Sequence, residues 1–161
     1  MKRKYKLTEN SRNNAHGTCF RRIQALKDFG DVKAGDLGGW IEGEANLSQE
    51  GDCWVYGNAA VYGNAEVYED AVVFGNAWVF GDARVFGDAR VYENAWVSGD
   101  AWVYRGAWVY GNAWVYEDAR VYGDARVYGG KIAIGSWGRQ PTDEELLWCG
   151  FDSEVTKLLF Q

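Results

Sequence analysis

The sequence predicts an all-β fold: a single-stranded parallel β-helix of triangular coils, about 18 residues to the coil and about five coils long. A β cap is expected at its N-terminal end and a short helical cap at its C-terminal end. Three observations carry this. Valine recurs every sixth residue, thirteen times without a slip, from Val55 to Val127. Alanine holds the fifth place of every unit from Ala59 to Ala125. An aromatic residue follows the valine in twelve of the thirteen units, Ser98 being the exception. A repeat this strict at a period of six marks a β-solenoid.

Strand alternation explains the unit Val–aromatic–Gly–Asx–Ala–X, as in Val79-Phe80-Gly81-Asp82-Ala83-Arg84. Neighbouring residues of a strand point to opposite faces. Positions 5, 6, 1 and 2 therefore run in, out, in, out, and Val with Ala fills a narrow interior. Positions 3 and 4 make the corner. Asn, Asp and Gly occupy position 4 in every unit. They tolerate a positive φ, so position 4 is expected to be the left-handed residue.

Three hexapeptides close a triangle, and the next coil stacks about 4.8 Å above it by sheet hydrogen bonding. Weaker units extend the pattern backward. Ile41, Ala45 and Leu47 fit positions 1, 5 and 1, and a two-residue insertion near Gln49-Glu50 restores the register at Cys53 and Val55. The solenoid is thus expected over residues 41–134, between caps at 1–40 and 135–161. In the first cap, Tyr5-Lys6-Leu7 and Cys19-Phe20-Arg21-Arg22-Ile23 read as short strands around a polar loop from Asn10 to Gly17. In the second, Thr142 is placed to cap a helix running through Cys149, with Asp143, Glu144 and Glu145 in its first turn and Gly150 as the stop. Ser153 is placed to start another helix carrying Val155, Leu158, Leu159 and Phe160.

The repeat over about residues 41–134 resembles the left-handed parallel β-helix of hexapeptide-repeat proteins. The left hand is implied by that resemblance alone, since the general crossover rule favours the right. The stretch from Ala25 to Glu42, with Asp36-Leu37-Gly38-Gly39-Trp40-Ile41 at its end, is similar to the N-terminal motif of a group of phage, prophage and bacterial hexapeptide proteins. Some of those carry a transferase label.

Composition narrows the function classes. No apolar run approaches the length of a membrane span. The basic start Met1–Lys6 is not followed by an apolar stretch, so no secretory leader is expected and the chain is placed in the cytoplasm. Cys19, Cys53 and Cys149 fit no metal-ligand spacing and read as free thiols. Net charge is −6. Residues 1–40 carry nine Lys/Arg against four Asp/Glu, whereas residues 55–128 carry five Arg against ten acids. An acidic rod repels phosphates, so nucleic acid is not an expected partner.

The resemblance also implies a test for chemistry. Acyltransferases of this fold use a coil-surface histidine as general base, because an attacking hydroxyl or amine must lose a proton. Another branch binds a metal through three histidines. This chain has one histidine, His16, in the N-terminal cap. Neither site can be carried over, and no catalytic residue, metal or cofactor is expected. A degenerate acyltransferase-like enzyme, using His16 across a subunit boundary, is one alternative. The glycines are corner residues rather than a phosphate loop.

Residues 18 apart stack, which sorts the outward side chains onto three faces. The first presents Tyr56, Phe74, Tyr92, Tyr110 and Tyr128 beside Trp54, Val72, Arg90, Trp108 and Arg126. The third presents Tyr68, Phe86, Tyr104 and Tyr122 beside Glu66, Arg84, Trp102 and Arg120. The second presents Tyr62, Phe80, Ser98 and Tyr116 beside Ala60, Trp78, Trp96 and Trp114. Aromatic ladders stabilise a rod by themselves. Three consecutive tryptophans with no charge in either ladder exceed that need, and the strip covers on the order of 400 Å². The candidate binding surface is therefore Tyr62, Trp78, Phe80, Trp96, Trp114 and Tyr116. The expected function is a non-enzymatic interaction protein that self-associates through this face, with a host protein as a further candidate partner for a phage or prophage factor. A carbohydrate or small-ligand binder using stacked aromatics is the remaining alternative.

Overall fold

The computed structural model describes residues 2–133 and the strand Ser136–Trp137. The chain winds into a parallel β-solenoid of about five coils, each hexapeptide adding one short strand to one of three sheets. Trp78–Val79, Trp96–Val97 and Trp114–Val115 pair in parallel at an 18-residue offset. Two hydrogen bonds from each strand hold coil to coil, and some corners add a third, as Asp82 N–H to the Gly99 carbonyl at 2.9 Å. Arg84 N–H donates to the Ala101 carbonyl at 2.9 Å, and Phe86 N–H to the Val103 carbonyl at 3.0 Å. The same pair recurs up the rod, so a hexapeptide that keeps its length keeps its ladder.

The interior follows the alternation. All thirteen repeat valines are 0–1% exposed and the twelve alanines 0–2%. Burying each valine contributes about 1.5–3 kcal/mol. Alanine fits because it enters beside the corner, where two successive strands of the coil meet.

The corner corrects one expectation. The left-handed residue is position 3, not position 4. All thirteen position-3 residues have positive φ, from Gly57 (φ 60°) to Gly129 (φ 73°), including Glu69, Glu93, Arg105 and Glu117. None of the Asn or Asp residues at position 4 does. The position-5 N–H reaches back to the position-2 carbonyl, as Ala95 to Tyr92 at 3.3 Å. Positive φ at only the first central residue is the type II′ pattern, which favours glycine there and leaves Asn or Asp second.

Both ends of the repeat change register. Trp54 pairs with Val72 at the regular offset, whereas Ile41 pairs with Val61 and Leu47 with Val67, each two positions longer. The two-residue insertion therefore lies between Leu47 and Trp54. Ala45 does not fill an interior place. It is exposed in the 3-10 turn Glu44–Asn46, and Asn46 is buried instead. The Asn46 amide donates to the Gly63 and Ala65 carbonyls at 3.0 and 2.9 Å, and its oxygen accepts the Gly43 N–H at 2.9 Å. A polar side chain thus takes over where the strand ladder is interrupted. At the far end Lys131 pairs with Trp114, one position short of the regular offset. One residue has been lost, so Lys131 occupies outward position 6 rather than position 5. Ser136 pairs with Arg120 and continues the third sheet.

The N-terminal cap is a three-stranded antiparallel unit: β1 (Tyr5–Asn13), β2 (Cys19–Ala25) and β3 (Leu37–Ile41). β1 runs further than the sequence suggests, because its last residues, Ser11 to Asn13, pair with β2 and the loop shrinks to a turn around Asn14. The Asn14 side-chain oxygen accepts the N–H groups of His16 and Thr18, both at 2.9 Å. β3 then pairs in parallel with Ala60–Val61, so the hairpin extends the second sheet to eight strands. Gly38 and Gly39 make this possible by close approach. A Cβ on Gly38 would meet Ile23 at 2.6 Å, and one on Gly39 would meet Val55 at 2.6 Å and the Ala59 carbonyl at 2.8 Å. Tyr5, Ile23 and Val32 close the open end of the core. The expected helices from Thr142 and Ser153 lie outside the described residues.

Candidate functional site

The columns sort themselves by how the indoles are covered. On the third face Trp102 lies between Arg84 and Arg120, whose guanidinium carbons are 5.5 and 4.2 Å from its ring centre. On the first face Arg90 and Arg126 flank Trp108 at 5.3 and 3.8 Å. Trp54, lower on that face, is buried under Phe29 and Tyr5. Cation–π contact of this kind stabilises the rod and shields the ring. The signal for these sandwiches is the arginine–tryptophan–arginine order of the 18-residue columns, Arg90-Trp108-Arg126 and Arg84-Trp102-Arg120.

On the second face no arginine covers Trp78, Trp96 or Trp114 among the described residues, and the one cation over these three rings is Lys131, above Trp114. Trp78 stacks on Trp96 with centres 6.0 Å apart, and Trp96 on Trp114 at 4.9 Å with planes within 2°. Trp96 and Trp114 are 37% and 38% exposed, the two most open indoles among residues 2–133. Beside them Tyr62 and Phe80 stack at 5.0 Å, and Phe80 meets Trp96 edge-on at 6.0 Å. Tyr116 completes the second ladder above Ser98, both half-buried.

All six sequence-predicted residues therefore share one sheet face, but they are not equally open. Phe20 of β2 packs edge-on against Tyr62 at 5.2 Å and Trp78 at 6.3 Å, covering the lower end. Burial, with Glu42 nearby, raises the Tyr62 phenol above its ordinary pKa. The tryptophan column also continues past the positions the sequence pattern indicated. Trp40 sits at its foot beside Ala60, with Arg12 4.5 Å from the Trp40 ring. Lys131 sits at its head, its ammonium 4.7 Å from the Trp114 ring. The column is uncharged only between these cationic ends. The contribution of the N-terminal hairpin carried no periodic signal, and Lys131 was hidden by the one-residue deletion.

The corner columns are structural in what they touch. The Asn64 amide donates to Asp82 at 2.9 Å and the Asn76 amide to Asn94 at 3.4 Å. Among the described residues no cluster of three His, Cys, Asp or Glu side chains could hold a metal ion, and no helix is long and apolar enough to cross a membrane. His16 is exposed at the tip of the β1–β2 hairpin. Cys19 and Cys53 are free thiols, the former exposed and the latter buried.

Fold and surface together define a hexapeptide-repeat parallel β-solenoid with one face on which tryptophan stacks on tryptophan. Its repeats match the family described as the YdcK β-solenoid repeat at residues 83–99 and 119–133. A relative from Escherichia coli (strain K12), named "Uncharacterized acetyltransferase YdcK", is 48% identical over 61 residues. That match covers 34% of this chain and 19% of the relative.

Proposed function

We propose that this protein is a non-enzymatic β-solenoid that self-associates through its second face, with Trp78, Trp96 and Trp114 at the centre of the contact. The observation supporting this is the asymmetry of the faces. Arginine covers Trp102 and Trp108, whereas Trp78 and Trp96 meet other aromatic rings and only Trp114, at the head of the column, meets a cation, Lys131. Contiguous exposed apolar strips mark contact surfaces, and tryptophan is enriched at the centres of interfaces. A two-fold pairing would lay one column against its copy, matching apolar centre to apolar centre. The test is solution mass for the wild type and for the triple variant Trp78→Lys, Trp96→Lys, Trp114→Lys. The wild type should exceed the monomer mass of 18.1 kDa, and the variant should be a folded monomer. A monomeric wild type, or an unchanged variant, overturns the reading.

Acetyl transfer is the second reading, supported by the printed name of the Escherichia coli relative. In this chain the general base would be His16, its single histidine. Acetyl-CoA turnover abolished by His16→Ala would favour this reading; turnover that survives the substitution removes His16 from it.

A further inference from the structure

The ring ladder of the second face lacks one rung. Tyr62 and Phe80 are stacked, Ser98 comes next, and Tyr116 follows above it. The backbone register is undisturbed, since Ser98 N–H donates to the Val115 carbonyl at 2.8 Å. The serine therefore removes a ring without closing the space that ring would fill. On the other two faces every rung is aromatic, and neighbouring centres are separated by 4.8 Å (Tyr68–Phe86) to 5.3 Å (Tyr104–Tyr122) on the third. Two steps of sheet spacing put Phe80 and Tyr116 about 10 Å apart. A flat guest midway would stand about 5 Å from each, the separation that stacked neighbours in a sheet keep.

The vacancy is a groove lined by Phe80, Trp96, Ser98, Trp114, Tyr116 and Lys131. Its floor carries a hydroxyl, its wall on one side is the stacked indoles of Trp96 and Trp114, and its upper end carries an ammonium. Corner carboxylates Asp82, Asp100 and Asp118 follow the ring ladder on the far edge. Charge is thus divided, cationic on the tryptophan side and anionic along the corner, which fixes the direction a charged guest would take. We infer that this slot binds a flat aromatic small molecule carrying a carboxylate or a comparable anionic group. The ring lies between Phe80 and Tyr116, and the anionic group points to Lys131. Nothing in this requires self-association.

The full chain is titrated by calorimetry with 2-naphthoate, with uncharged 2-naphthylmethanol, and with cyclohexanecarboxylate, which has charge but no flat ring. Solution mass is recorded on the same samples. Saturable binding of 2-naphthoate is expected, weaker for 2-naphthylmethanol and absent for cyclohexanecarboxylate. Ser98→Phe supplies the missing rung and should abolish binding with the melting temperature kept or raised. Lys131→Gln should weaken 2-naphthoate about fivefold, as for an exposed ion pair, and leave 2-naphthylmethanol unchanged. No saturable binding to the wild type, or equal binding to Ser98→Phe, overturns the inference. An oligomeric wild type that binds no 2-naphthoate sinks the slot and leaves self-association standing; a monomer that binds it does the reverse.

Discussion

The Arg126 guanidinium lies 3.8 Å from the ring centre of Trp108 one coil away, and Arg90 covers the opposite side of the same indole. Each such contact is worth about 0.5–1 kcal/mol at an exposed site. It also occupies the ring face that a partner would need. Trp96 has an indole on either side instead. Trp96→Arg should give the second face the arrangement the other two already use. The melting temperature is expected to stay within about 3 °C, because a cation–π stack replaces an aromatic one. The solution mass should fall to that of the monomer. An oligomer that persists would mean that the tryptophan column is not the contact.

Corner glycines differ in what stands above them. Gly57 (φ 60°) and Gly87 (φ 67°) both occupy the left-handed region. A Cβ at position 57 meets nothing nearer than 3.7 Å, but one at position 87 meets the Arg105 backbone nitrogen at 2.7 Å. Gly57→Ala should cost about 1–2 kcal/mol, the ordinary left-handed penalty. Gly87→Ala should cost about 1–3 kcal/mol more from overpacking against backbone that cannot move aside. Denaturant titration separates the two. Equal losses would show that the coils shift to absorb the clash.

That corner also shows how far the sequence can be read. The valine and alanine columns were legible because one chemical requirement, a narrow dry interior, repeats every six residues. The faces followed from the register, so all six residues of the aromatic surface fell on one sheet. The corner was misassigned because Gly and Asx both tolerate positive φ, and composition alone does not say which precedes the turn. The positive φ at every position 3, and at no Asn or Asp of position 4, decides it. Phe20 over Tyr62 and Lys131 over Trp114 were not legible. The first comes from an aperiodic hairpin, and the second from a deletion that only strand pairing reveals.

Lys4 closes the first coil from below. It is 1% exposed, and its ammonium donates to the Cys53, Gly51 and Glu50 carbonyls at 2.9, 3.2 and 3.3 Å. These groups lie where the two-residue insertion interrupts the sheet ladder. Lys4→Met keeps the stem but leaves the carbonyls without that donor. Unsatisfied buried groups cost about 1–3 kcal/mol each, so a loss of about 3 kcal/mol is expected for this partly accessible set. Amide exchange should quicken first at Gly51–Cys53. Stability within about 0.5 kcal/mol of wild type would show that water replaces the ammonium at no net cost.

Alkaline pH should destabilise the fold, most strongly through Tyr5 in the cap. Tyr5 is fully buried and its hydroxyl donates to the Leu47 carbonyl at 2.6 Å. Burial, reinforced by Glu44, holds its phenol well above the ordinary tyrosine value. The folded chain thus keeps a proton that the unfolded chain loses near pH 10. The resulting stability is complete below that pH and is lost as pH rises beyond it. Burial also pushes up the Cys53 thiol and the phenols of Tyr56, Tyr62, Tyr68 and Tyr92, with the same sign. Lys4 opposes them. Burial lowers its pKa, so the unfolded chain binds the extra proton and stability gains as pH rises toward the ordinary lysine value. One lysine against six groups of the other sign leaves a net fall above about pH 9. Tyr5→Phe retains the ring set edge-on against Trp54 at 6.1 Å but removes both the proton and the hydrogen bond. It should be less stable by about 1 kcal/mol at pH 7 and decline less steeply from pH 9 to 11, so the two curves converge. Denaturant midpoints at pH 7, 9, 10 and 11 measure this, and parallel curves would assign the alkaline loss to Cys53 and the half-buried tyrosines instead.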